Sequence, residues 1–153
     1  MAEAELGSYL STVEERDIDL LLLEEFLITD EFVAWFSAEL GFHAATPAGA
    51  WHSVSDVDGE TDLLLRVHTH GQCIGVLIEN KIAAPEQHRQ AERYHLRGAR
   101  YCETGVFDTY RTVICAPQEY LRGLAKDSAY QHQIPYEVIA EWFNNQEGRR
   151  AAW

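Results

Sequence analysis

The 153-residue chain has only three cysteines, Cys73, Cys102 and Cys115, and none of them forms a CxxC pair. An odd, unpatterned set excludes a disulfide framework and fits reduced thiols in an intracellular, cytoplasmic protein. Long apolar runs are missing as well. Leu20–Leu23 is followed at once by Glu24 and Glu25, well short of a membrane span. The opening MAEAELGSYL lacks the basic and apolar regions of a secretory signal. There is no internal repeat, low-complexity tract or Pro/Gly/Ser linker, so one domain over residues 1–153 is expected.

Positive charge is scarce in one half of the chain. Residues 1–62 hold 15 Asp and Glu against a single Arg, a net charge of −14, whereas residues 63–153 carry a net charge of +1. Overall acidity excludes promiscuous nucleic-acid binding, which depends on neutralising phosphates. The asymmetry still leaves room for a local basic face in the second half.

The pattern from about Val13 to Ile28 is helical, rich in Leu and Glu with no breaker. Thr29–Phe32 reads as a second helix start, with Phe32, Trp35, Phe36 and Leu40 at helical spacing before Gly41. TPAGA is a loop, and a short strand follows from Trp51 to Val57. TDLLLRVH and QCIGVLIEN are two further strands, joined through THGQ as a hairpin. Pro85 suits the first residue of a long helix reaching about Cys102. YRTVICAP is another strand, and IPYEV a last one before a final helix. This order predicts an α/β or α+β mixed sheet with helices packed on it.

Within that frame one stretch carries chemistry. Side chains alternate along a strand, so Glu79 and Lys81 share a face while Asn80 points away. On the preceding strand Asp62 shares a face with Leu64, Arg66 and His68. Antiparallel pairing brings the start of the first strand beside the end of the second, so Asp62, Glu79 and Lys81 converge at one edge of the sheet. Two carboxylates with a backbone carbonyl and waters suit Mg²⁺ or Mn²⁺. A lysine in that shell can orient or deprotonate a water, and the metal offsets charge developing on an attacked phosphate. The chemistry inferred is metal-assisted phosphodiester hydrolysis.

The helix that follows adds two stripes. Gln87, Gln90, Ala91, Tyr94, Gly98 and Tyr101 form one, with Gln90 and Tyr94 projecting toward the same site. Arg89, Arg93, Arg97 and Arg100 form the other and are placed to meet nucleic-acid phosphates.

The run GETDLLLRV … GVLIENKIAAPEQHRQAERY resembles the PD-(D/E)XK nuclease superfamily over about residues 14–117. In that family an Asp opens one strand and an acid-x-Lys triplet closes the next, as Asp62 and Glu79-Asn80-Lys81 do. The Q-x-x-x-Y of its RecB-type branch matches Gln90 and Tyr94. The resemblance implies the restriction-endonuclease-like αβββαβ core with flanking helices, Mg²⁺ (or Mn²⁺) as cofactor and DNA as substrate. It also implies that a glutamate of the N-terminal helix completes the metal site, a role open to Glu24 or Glu25 within ERDIDLLLLEEF. Where the family pattern has proline before the aspartate, this chain has Thr61.

Members of that family often act as dimers, so the resemblance allows a homodimer. A chain this short can also be a bare catalytic core that needs a partner subunit or domain to grip its substrate. A second reading keeps the fold without turnover, as a binding module whose acidic half docks a basic protein or imitates nucleic acid. Cleavage of structured RNA is a third. His68 and His70 read as a polar turn without the further ligands a metal needs. Cys102, Cys115, Trp35, Trp51, Trp142 and Phe143 are expected in the core, and the closing RRAAW forms a small basic patch.

Overall fold

The computed structural model describes residues 13–124 and 128–146, and the closing RRAAW lies outside the described residues. Helix α1 spans Glu15–Ile28 and α2 spans Asp30–Glu39. Strands β1 (Thr46–Asp56), β2 (Gly59–Thr69) and β3 (Gln72–Asn80) follow. Helix α3 covers Gln90–Glu103, β4 Thr109–Ala116, α4 Gln118–Arg122, β5 His132–Pro135 and α5 Tyr136–Asn144. The expected mixed sheet is present. Its five strands run in the order β1-β2-β3-β4-β5, antiparallel from β1 to β3 and parallel from β3 to β5.

The physical reason for this arrangement is legible strand by strand. β3 is buried from Ile74 onward, as expected for a central strand covered on both faces. Leu63, Leu65, Val67, Ile74, Val76 and Ile78 face a core closed by α1, α2 and α5. Leu64, Leu77 and Ile114 face the opposite way, under α3, with Ala91, Tyr94 and Phe107. Phe26, Phe32, Phe36, Trp35, Trp142 and Phe143 pack on one another on the first face, with Phe32 and Trp142 centroids 4.8 Å apart.

Helix α1 starts on a capping box, in which the Glu14 N–H donates to Asp17 Oδ2 at 2.8 Å. It ends at Thr29, whose hydroxyl donates to Glu25 Oε2 at 2.8 Å and which also begins α2. No helix among the described residues is long and apolar enough to cross a membrane.

Four expectations are corrected. TPAGA is not a loop but the irregular start of β1, with a register shift between Pro47 and Ala50. Helix α3 begins at Gln90 and not at Pro85, because Arg89 takes a left-handed conformation (φ 55°) that interrupts any helix entering from Pro85. Trp51 is not core. It lies 41% exposed on edge strand β1, with the Arg66 guanidinium 5.2 Å from its ring centroid. Cys102 is likewise only half-buried, while Cys115 is fully buried as expected.

Gly75 is where α3's trailing loop comes closest to the sheet. A methyl group there would lie 2.2 Å from Phe107 Cε1, inside contact distance. Gly75→Ala is therefore expected to lower stability by about 1–3 kcal/mol, the usual cost of overpacking. Urea denaturation followed by circular dichroism checks this, and an unchanged midpoint would contradict it.

Candidate active site

The β2–β3 ladder has its last paired residues at Leu63 and Ile78. One step further, Asp62 and Glu79 stand opposite each other as the strands part. β3 keeps its other neighbour, since the Lys81 N–H donates to Cys115 O at 2.9 Å. The chain thus opens on one side only, and the gap is a cavity of about 670 Å³ walled by Glu15, Glu60, Asp62, Glu79, Lys81 and Gln90 among others.

Around Glu79 the contacts are dense. Its Oε1 accepts from Gln90 Nε2 at 2.7 Å and lies 3.2 Å from the Lys81 ammonium. Its Oε2 accepts a hydrogen bond from the Tyr94 hydroxyl. That hydroxyl also receives the Asp62 N–H at 3.3 Å, and Asp62 Oδ2 accepts the Asn80 N–H at 3.0 Å. Glu79, Lys81 and Tyr94 are all buried, and Asp62 is half-buried. The structure therefore brings Asp62, Glu79, Lys81, Gln90 and Tyr94 together, as the alternation of the strands and the spacing of the helix required.

Asn80 points to the other face, also as expected. Its amide donates to Asp19 Oδ1 at 2.5 Å, and its carbonyl oxygen accepts from the Tyr136 hydroxyl at 3.1 Å. Asp19 escaped notice in the sequence because a lone acid in an acidic helix carries no signal of burial. It is only 6% exposed.

Burial dominates the electrostatics. It pushes the Glu79 carboxyl from the ordinary 4.5 up to about 8, and the neighbouring Asp62 charge adds to the rise. Burial raises Asp62 too, against the pull of the Asn80 N–H. Asp19 rises to about 7, again mainly through burial and despite its bond to Asn80. For Lys81, burial works against the charged ammonium, but the Glu79 carboxylate outweighs it and the net shift is upward.

The N-terminal glutamates differ from expectation. Glu24 is exposed, and Glu25 is buried near the far end of α1 where it receives the Thr29 hydroxyl. Neither walls the cavity. Glu15, in the first turn of α1, does so instead, and its Oε1 accepts the Ile82 N–H at 3.0 Å. At about 1.5 Å of rise per residue, Glu24 and Glu25 lie more than a helical turn too far along the axis. Helical periodicity reports which face a residue occupies and not which end of the helix meets the cleft.

The arginines of the α3 stripe have partners within the chain. Arg89 pairs with Glu92 at 2.5 Å, and Arg93 donates to His88 O at 2.8 Å and to Gln87 Oε1 at 3.2 Å. Arg100 pairs with Asp58 at 2.7 Å. Arg97 is 1% exposed and donates to Thr61, Asp58 and Glu60. All four guanidinium groups thus bond within the chain, and Arg97 is unavailable to a phosphate from solvent.

Among the described residues, no cluster of three or more His, Cys, Asp or Glu forms a ready metal cage. The donor set is the carboxyl pair Asp62 and Glu79, with Glu15 and Glu60 on the same cavity wall. All are hard oxygen donors. That chemistry suits Mg²⁺ or Mn²⁺, which takes one or two carboxylates and keeps waters, and does not suit a closed zinc site.

The raised pKa of Glu79 has a measurable sign in the metal-free protein. The folded chain holds a proton that the unfolded chain releases, so this contribution to stability is complete below about pH 4.5 and lost as pH rises through about 8. Glu79→Gln removes this titration but leaves the buried Lys81 ammonium, 3.2 Å from Glu79 Oε1 in the wild type, without a charged partner. The same variant should show a flatter fall of stability between pH 5 and 8. Urea midpoints across that range, in EDTA, check this, and a fall as steep as that of the wild type would contradict the assignment. Compared with known proteins, the chain matches no family model, no curated relative and no solved structure.

Proposed function

We propose that this protein is a Mg²⁺-dependent nuclease that hydrolyses phosphodiester bonds of DNA, of the PD-(D/E)XK type that its sequence resembles. The observation that carries the reading is the convergence of Asp62, Glu79 and Lys81 on one cavity, with Gln90 and Tyr94 bonded to Glu79. A structural ion pair needs no second carboxylate opposite it and no open cavity beside it.

In this reading Asp62 and Glu79 would hold the divalent cation, with Glu15 on the same cavity wall at the end of the N-terminal helix where the resemblance looks for a glutamate. When bound, the cation supplies positive charge against the attacked phosphate and eases deprotonation of a water. Gln90 and Tyr94 hold the two oxygens of Glu79 in a fixed orientation. The Lys81 ammonium, 3.2 Å from Glu79 Oε1, is placed to position the attacking water. Glu79 would have to release its proton to solvent to ligate a cation, so binding would weaken as pH falls.

One observation favours the second reading, a module that binds without turnover. Acidic groups outnumber bases around the cavity, and the helix arginines are bonded within the chain. A partner subunit or domain that brings its own positive charge would reconcile this with cleavage, and a basic protein docked on the acidic half would replace it.

Cleavage of single- and double-stranded DNA in Mg²⁺ or Mn²⁺ is the expected result. Lys81→Ala and Asp62→Asn should each slow it by about 10²-fold or more while the fold survives. DNA and RNA of every form left intact by the wild type would sink the nuclease reading. Capture of a basic protein with no cation bound by calorimetry would favour the second.

A further inference from the structure

Arg97 poses a problem the nuclease reading does not absorb. A guanidinium that is 1% exposed is costly to bury, and all three of its hydrogen-bond partners are neutral oxygens. Its Nε donates to Thr61 Oγ1 at 2.8 Å, Nη1 to Asp58 O at 3.0 Å and Nη2 to Glu60 O at 2.7 Å. Asp58 closes the turn into β2, and Glu60 and Thr61 are residues of β2 that lead directly to Asp62.

The location explains the need. β2 and β3 stop pairing at Leu63 and Ile78, so main-chain groups of β2 before Leu63 lose the partner that a continued ladder would provide. Side chains of α3 take that place. Arg97 donates to the carbonyls of Asp58 and Glu60, and the Tyr94 hydroxyl accepts the Asp62 N–H. Arg97 and Tyr94 are themselves stacked, with Arg97 Cζ 4.4 Å from the ring centroid. Tyr94 in turn bonds Glu79. Gly59 accommodates the approach. It has φ +114°, and a methyl there would come 3.2 Å from Arg97 Nη1.

We infer that Arg97 is a positioning residue, which replaces the missing ladder partner of β2 and so holds the Asp62 carboxylate opposite Glu79. Its guanidinium, though on the cavity wall, is bonded to the Thr61 hydroxyl and the Asp58 and Glu60 carbonyls. The open end of the sheet supplies the cavity, and the Arg97–Tyr94 stack keeps the open end from fraying. The inference rests on the nuclease reading for its consequence, cation affinity, and stands on the hydrogen bonds for its geometry.

The test compares Arg97→Lys, Arg97→Ala and Thr61→Val with the wild type, and with Gly75→Ala as a destabilised control remote from the site. Mn²⁺ affinity is read by calorimetry, amide exchange at Thr61 and Asp62 by NMR, and global stability by urea. Arg97→Lys is expected to bind Mn²⁺ about tenfold more weakly and to exchange faster at Asp62. Thr61→Val should move both in the same direction by less. Methylguanidinium should restore Mn²⁺ binding to Arg97→Ala. Affinity within about twofold of wild type in a folded Arg97→Lys overturns the inference. So does an equal loss in Gly75→Ala at matched stability. If Arg97→Ala does not fold, the Lys and Val variants decide. If the wild type binds no Mn²⁺, the nuclease reading fails, and unchanged exchange at Thr61 and Asp62 in Arg97→Lys then overturns the positioning role by itself.

Discussion

A carboxyl group at the end of a strand buried on both faces is the constraint on which the rest depends. Glu79 cannot ionise there without compensation, because burial and the adjacent Asp62 both favour its protonated form. Lys81, Gln90 and Tyr94 each supply part of that compensation, and each arrives from a different place. Lys81 follows on the same chain, while Gln90 and Tyr94 come from α3, one helical turn apart. The position of α3 over the sheet is thereby tied to the state of one side chain.

Seen from this carboxyl, α3 has two duties that its sequence merges. Its apolar positions, Ala91 and Tyr94, seat it on Leu64, Leu77 and Ile114. Its polar positions complete a sheet that has been deliberately left unpaired past Leu63. Gly98 lets the helix lie close, because a methyl there would meet Tyr110 at 2.4 Å. The same helix thus carries packing, main-chain satisfaction and orientation of Glu79. Asn80 links the arrangement to the opposite face, since its N–H bonds Asp62 while its side chain bonds Asp19 and Tyr136.

Much of this was legible in the sequence because alternation is a rigid rule. Period two placed Glu79 and Lys81 together and sent Asn80 away, and the short THGQ turn placed Asp62 beside Glu79. Spacing of four placed Gln90 with Tyr94. What was not legible depended on tertiary position. The choice among the glutamates of α1 turned on which end of that helix meets the cleft, and Glu15 rather than Glu24 or Glu25 is at that end. The arginine stripe read as a face placed to meet phosphates, yet Arg97 was drawn inward by carbonyls that an interrupted ladder leaves free. Trp51 looked like core because nothing in its neighbours reveals that β1 is an edge strand.

The central claim is that Asp62, Glu79 and Lys81 form one cation-dependent hydrolytic site. Its most direct test is a crystal soaked in Mn²⁺ and read by anomalous diffraction. A single strong peak between the Asp62 and Glu79 carboxylates, with the Lys81 ammonium still close by, is the result predicted. No peak there, with Glu79 remaining bonded to Lys81, Gln90 and Tyr94 at saturating Mn²⁺, would contradict it.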